Sequence, residues 1–484
     1  MGLSGVRHKR WSAVALICSF PCALPAQSLD NLKRQALEHP GAYDFLRELS
    51  DGIGPRLTGS SEEARAGQWA LATMRKIGLQ NVHGEPWQLE RGWKRGYARA
   101  QLVSPFSLGL TIASQGWTGS TQGGETEADV VQVDSNHLAE EASKNSAKWA
   151  GKILLIAPRD PSHQDIYGTL SQLPTFLAAA KDSGAVAIIE RDSRRGVMLA
   201  HTGPGSVSAR ALPMAYASLA REQADLITRL LNAGTPVRVR IDIRNDFTPG
   251  EVSSSNIVGE ITGSRYPDEV VILGAHLDSW DQGTGTIDDG FGVAAVLGAA
   301  KSIIEWGLKP QRTIRFVLFT GEEQGLLGSR AYTRQHQAEM KNVECTLVLD
   351  WGYGPITKYL LGGHDEFTAA LQELFPALAG VASPQVGKGF LTYTDGFSFT
   401  LAGVPEIGLF QDSPDYSLLG HSAADTLDKV DPQVLIRDSA ALAISGLWFA
   451  NYPMQVGSHW SQAKTAQMLD DQRRFLQALE LWPF

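Results

Sequence analysis

From Asn256 onward the chain alternates short, almost wholly apolar runs with longer helix-like ones, and this alternation limits the fold more than any other property of the sequence. Strand-like runs cover Glu269 to Gly274, Arg312 to Thr320, Cys345 to Leu349 and Val404 to Phe410. Between them lie helix-like runs over Gly292 to Trp306, Leu326 to His336, Asp365 to Leu374 and Pro432 to Ala450. Apolar strands alternating with helices imply a sheet covered on both faces. The predicted class is therefore α/β, with a twisted, mostly parallel sheet and helices on both faces. In such sheets sites gather beyond the carboxyl ends of the strands. His276, Glu322 and Asp350 fall just past three predicted strand ends.

Those residues belong to five clusters: His276-Leu277-Asp278, Asp288-Asp289-Gly290, Glu322-Glu323, Asp350 and His421-Ser422-Ala423-Ala424-Asp425. Taken singly, each has a plain structural explanation. Asp288 can cap the helix that begins near Gly292, and Glu322-Glu323 can be an acidic first turn. Asp350 can be a turn aspartate and His421 a surface histidine, while Asp425-Thr426 can cap the turn behind it. Taken together, two histidines and three carboxylates, with one carboxylate to spare, suit a pair of zinc ions. A carboxylate two residues past His276 can orient its imidazole. In the glutamate pair, one member can ligate while the other serves as general base. Tyr353, Tyr393 and Asp395 are further candidates for substrate or oxyanion contacts.

The rest of the chain frames this site. Residues 28 to 80 read as helices broken by the turn-rich Gly52 to Ser60 loop. Residues 118 to 246 read as an inserted, β-rich module without clustered ligands, including Lys152-Ile153-Leu154-Leu155-Ile156 and the helix-to-strand passage Lys181 to Ile189. Arg7 to Arg10 form a basic stretch ahead of the apolar Trp11 to Leu24, so residues 1–26 are expected to be a secretory signal. Export to the periplasm or the medium follows, with no stable membrane insertion once the signal is removed. Of three cysteines only Cys345 would remain, in an apolar run that makes it a buried thiol. A net charge of -9 argues against nucleic acid as a partner.

The ordered clusters resemble the zinc aminopeptidase family that carries an inserted protease-associated domain, and within it the carboxypeptidase Q branch. The resemblance rests on Asp51 to Ser60, Glu260-Ile261-Thr262-Gly263-Ser264-Arg265-Tyr266-Pro267, Gly274 to Asp281 and Glu322-Glu323-Gln324-Gly325. It implies the zinc exopeptidase fold over 27–117 and 247–484, with the protease-associated domain as 118–246. It further implies two zinc ions held by His276, Asp288, Glu323, Asp350 and His421, with Asp288 bridging. Glu322 would be the catalytic base toward water activated between the metals, and Asp278 would support it. Family members hold the peptide after the bridging aspartate in cis, which points to Asp288-Asp289. The stretch after His421 is poorer in histidine than the branch suggests, which bears on substrate preference.

What the resemblance implies is a metallopeptidase acting on short unblocked peptides, chiefly dipeptides, and a homodimer. A general aminopeptidase on longer peptides is the alternative within hydrolases. A glutaminyl cyclase-like transferase would use one working zinc, and a ligand-free receptor would use none; the full donor set speaks against both. The segment from Gln462 to Leu481 reads as one amphipathic helix that covers the core or a partner.

Overall fold

The computed structural model describes residues 26–156, 166–200, 202–203, 209–307 and 309–484. The signal expected over 1–26, with Cys18 and Cys22, lies outside them apart from Ala26, which opens a helix running to Glu38.

The fold is α/β, as the alternation requires. Its central sheet has the strand order Gln80–Leu89, Val252–Ile261, Arg312–Phe319, Tyr266–His276, Val343–Val348. The strand ending at His276 lies between two parallel neighbours, with Gly274 opposite Val317 on one side and Val348 on the other. It is buried from Val270 to His276, as a strand covered on both faces must be. Beyond Arg312–Phe319 the pairings turn antiparallel. The sheet is thus parallel where His276, Glu322 and Asp350 leave it.

One face is covered by the helices Phe291–Trp306 and Pro432–Asn451, which pack on each other and on the sheet. Their closeness depends on Gly298, where a Cβ would stand 2.5 Å from Ser439 Oγ and 3.0 Å from Ala42 Cβ. Asp431 caps the second helix by accepting from Gln433 N at 2.8 Å, with Pro432 in the first turn. The opposite face packs Val258, Ile272, Val317 and Phe319 against Tyr332 and Phe399 of the helices Leu327–Gln335 and Gly396–Leu401. Cys345 is buried in its strand.

Two expectations need correction. The run Val404 to Phe410 does not extend the main sheet. Its strand is Gly408–Gln411, paired antiparallel with Ile356–Leu360 in a separate sheet. Pro405 in that run lacks the N–H a ladder needs, and a parallel bridge between Thr346 and Glu406 joins the region to the main sheet. The segment Gln462 to Leu481 is two short helices, Gln462–Met468 and Arg473–Ala478, because the chain turns at Asp470–Gln472 to bury Leu469 and Leu476.

The sheet topology also bears on the segment expected as an inserted unit. Strand Trp93–Ser104 pairs with Arg238–Phe247 along its whole length. Leu108–Leu110 and Ile112–Ser114 belong to the same eight-stranded sheet. This sheet therefore spans Trp93 to Phe247, across residue 118. Lys94, Arg95 and Arg99 in the first strand obscure its alternation. Trp93 stacks on Trp117 at 5.8 Å, and Trp117 meets Trp280, just past the His276 strand, edge-on at 6.3 Å. Arg95 Nε donates to both oxygens of Asp281 at 2.9 and 3.0 Å. Among the described residues no helix is long and apolar enough to cross a membrane.

On the outer strand Glu85 sits between two imidazoles, with His83 Nε2 at 3.1 Å and His336 Nε2 at 3.0 Å. Burial alone would raise its carboxyl, but hydrogen bonds and charge from His336 and then His83 hold it below the ordinary value. The hydrogen bond that His336 donates to Glu85 in turn raises the His336 pKa. A raised histidine stabilises the fold fully below its unfolded pKa of about 6.5 and loses this as pH rises through the folded value. A lowered glutamate stabilises above about 4.3 and loses this as pH falls through the folded value. Urea denaturation of wild type and His336→Gln should therefore show the largest difference near pH 5 to 6 and a smaller one by pH 8.

Candidate metal centre

Register along the sheet brings the donors together. His276 ends its strand opposite Phe319, so the Glu322-Glu323 loop departs beside it. Leu349 N donates to Gly274 O at 2.9 Å, which lays Asp350 along the other side. Asp288 arrives on the turn Thr286–Gly290, with Asp288-Asp289 in cis as expected. His421, with φ 52°, comes from the loop after the short helix Tyr416–Leu419.

The donors form two triads that share Asp288: His276, Asp288 and Asp350, and Asp288, Glu323 and His421. His276 Nε2 lies 3.1 Å from Asp288 Oδ1 and 3.5 Å from Asp350 Oδ1. His421 Nε2 lies 2.8 Å from Asp288 Oδ2 and 3.1 Å from Glu323 Oε2. The bridging aspartate thus turns one oxygen to each histidine. Glu323 Oε1 and Asp350 Oδ2 are buried without a hydrogen-bond partner. Burial, and then repulsion from Asp288, pushes the Glu323 carboxyl up to about 7 and that of Asp350 up to about 6. Three buried carboxylates, two of them with an unsatisfied oxygen, and two imidazoles fit a pair of divalent cations, which would neutralise the charge and take up the lone pairs.

The surrounding shell fixes this geometry. His276 Nδ1 lies 3.0 Å from the Asp278 carbonyl oxygen, nearer than the Asp278 carboxylate at 3.6 Å. The Nδ1–H tautomer assigned by that contact leaves Nε2 free to ligate. The Asp278 carboxylate accepts from Thr58 Oγ1 at 2.7 Å and from Glu322 N at 3.3 Å. It is buried outside the cavity wall, and so it positions the Glu322 loop instead of meeting substrate. Helix capping falls to Asp289, which accepts from Gly292 N at 2.9 Å and from His276 N at 3.2 Å, leaving Asp288 free. Asp425 does not cap the turn behind it. Its Oδ1 accepts from Thr286 N at 2.6 Å and Ile287 N at 2.7 Å, holding the turn that carries Asp288.

A cavity of about 600 Å³ opens over the donors, within the common range for small-ligand pockets. Glu322 lines it, its carboxyl raised well above the ordinary value by burial and by Asp350. Of the three substrate candidates only Tyr393 lines the cavity; Tyr353 packs against the main core, and Asp395 is fully buried behind the site. Sequence reasoning missed Tyr416, which lines the cavity with its phenol raised by burial and by Asp288. No periodicity marks that residue. It also gave no role to Arg56, although an arginine inside the Gly54-Pro55-Arg56-Leu57 turn was a visible clue.

Arg56 is fully buried beneath the centre. Its Nε donates to Leu277 O at 2.6 Å, Nη1 to Thr284 O at 2.8 Å and Gly54 O at 3.1 Å, and Nη2 to Gly285 O at 2.7 Å. Burial lowers its pKa to about 10 against the pull of Asp425, Asp278 and the Asp288-Asp289 pair, so it stays charged at neutral pH. Gly285, at φ 59°, has no room for a side chain, since a Cβ would stand 2.3 Å from Ser279 Cβ.

Two donor triads that share Asp288, set about the parallel strand ends of an α/β sheet, define the class as a metallohydrolase-type centre. Residues 256–444 match the model of peptidase family M28. Carboxypeptidase Q of Bos taurus is 30% identical over 422 residues, covering 87% of each chain, and that of Homo sapiens is 29% identical over 431 residues. A solved peptidase M28 precursor from Shewanella amazonensis superposes with a TM-score of 0.77 at 30% identity, covering 90% of this chain and 99% of its own. An aminopeptidase from Aneurinibacillus shares the fold, with a TM-score of 0.62 at 22% identity, covering 86% and 96% of the two chains. The chain belongs to peptidase family M28.

Replacing Arg56 with alanine should leave several buried carbonyls unpaired and destabilise the fold by about 3 kcal/mol or more, read by chemical denaturation. Arg56→Lys should recover little, because an ammonium cannot reproduce the planar fork.

Proposed function

We propose that the chain is an exported di-zinc exopeptidase that hydrolyses short unblocked peptides, chiefly dipeptides. The observation that carries this reading is Asp288, set with one oxygen toward each of two buried triads on the floor of a small cavity. His276 and Asp350 would hold one zinc, Glu323 and His421 the other, and Asp288 both. When bound, the two ions would supply Lewis acidity toward a scissile carbonyl and lower the pKa of water.

The chain's own residues then divide the work. Glu322, its loop fixed through the Asp278 carboxylate, takes the proton of the attacking water and returns it to the leaving amine. Tyr416 remains a protonated phenol well above neutral pH and can donate to the oxyanion that develops. Leu326, Trp351 and Phe410 give the cavity an apolar lining, which strengthens electrostatic interactions at its floor. Relatives named carboxypeptidase Q and probable leucine aminopeptidase 2 support cleavage at a chain end. The unit from Trp93 to Phe247 is a protease-associated domain in this reading, and the charge pattern of residues 1–26 supports export.

The test is hydrolysis of one dipeptide in unblocked, N-acetylated and C-amidated forms, followed by mass spectrometry on zinc-loaded protein. Cleavage of the unblocked form alone is expected, while equal cleavage of the amidated form would make the chain a general aminopeptidase. Glu322→Gln should lower kcat by roughly 10²- to 10⁴-fold while elemental analysis still finds two zinc ions per chain. His421→Ala should lose one of them. A zinc-loaded wild type that cleaves none of the three forms would remove the peptidase reading.

A further inference from the structure

Two parts of the chain that carry none of the candidate ligands contribute to the cavity lining. Thr202 of the inserted unit stands in one wall, and Leu479 and Leu481 stand in another. The segment that supplies the leucines is firmly packed. Leu469, Leu476 and Leu481 share an apolar cluster with Leu326 and Phe397. Leu326 lies on the same loop as Glu322, its amide donating to Glu322 O at 2.9 Å. Phe475 meets Tyr393, itself a cavity residue, edge-on at 5.2 Å. Between the two lining leucines, Glu480 pairs with Arg210 of the inserted unit. The helix Arg473–Ala478 also packs on Ile166–Asp182 of that unit. The two parts are therefore joined to each other beside the catalytic donors.

We propose that this part of the lining sets substrate length: Leu479 and Leu481 form a wall against which a bound peptide ends, and the Arg210–Glu480 pair holds that wall in place. The inference rests on the peptidase reading above. An extended peptide grows by about 3.3–3.6 Å per residue, so each added residue brings its end nearer the leucines until it must displace them. It would also press a peptide amide or a charged terminus against apolar side chains that offer no hydrogen bond. Leu479 and Leu481 act on specificity and have no part in the chemistry at the donors.

The test uses the full chain with zinc and the unblocked series dialanine, trialanine and tetra-alanine, reading kcat/KM by chromatography of the products. Wild type should favour the dipeptide over the tetrapeptide by about tenfold or more. Leu479→Ala and Leu481→Ala should narrow that ratio by about tenfold, and Glu480→Gln should move it the same way to a smaller extent. Leu481 is buried, and its variant is open to unfolding, whereas Leu479 is half-buried and the Glu480 side chain is 37% exposed. Thermal melts establish that the latter two variants are folded. Equal use of all three peptides by wild type overturns the inference and leaves the peptidase reading standing, as does an unmoved ratio in folded Leu479→Ala and Glu480→Gln. A wild type inert on every peptide removes the peptidase reading, and the inference falls with it.

Discussion

A single buried cation ties the loops of this site together. Arg56 spends its guanidinium on backbone carbonyls and none of it on a carboxylate, joining the turn at Gly54, the strand end at Leu277 and the loop at Thr284-Gly285. Those segments carry or flank His276, Asp278 and Asp288. A guanidinium suits this task because its donors lie in one rigid plane and its charge survives burial. Its field also offsets the acidic cluster above without occupying any of the oxygens that the centre needs.

That division of labour recurs throughout the site. Adjacent aspartates do different work: Asp289 satisfies the helix start and the His276 amide, while Asp288 keeps its oxygens for the two histidines. Asp425 and Asp278 are spent on backbone amides and a hydroxyl, so Glu323 and Asp350 are left as unsatisfied, desolvated acids. Burying carboxylates in this way is unfavourable unless cations join them, which makes the arrangement chemically specific. Glu322 shares the same low-dielectric surroundings but faces the cavity, as a proton carrier must.

Much of this was legible in the chain. The apolar runs at Glu269 to Gly274, Arg312 to Thr320 and Cys345 to Leu349 mark strands that the structure contains, because a doubly covered strand leaves a continuous apolar signature. The same reasoning failed at Val404 to Phe410, where Pro405 interrupts an otherwise convincing run, and at Trp93–Ser104, where charged residues on an exposed face conceal a strand. Asp425 looked like a local cap and proved to be a tertiary contact, since a capping aspartate and one that reaches a distant turn read alike in sequence.

What the sequence determined by itself was the layered α/β plan and the identity and order of the clustered donors, because both are carried by residue type and local period. Only the tertiary structure decided which oxygen of Asp288 faces which histidine, that Arg56 and Tyr416 belong to the site, and that Leu479 and Leu481 wall the cavity beside residues more than a hundred positions earlier. Those relations depend on strand register and on packing between distant segments, which no local pattern of side chains records.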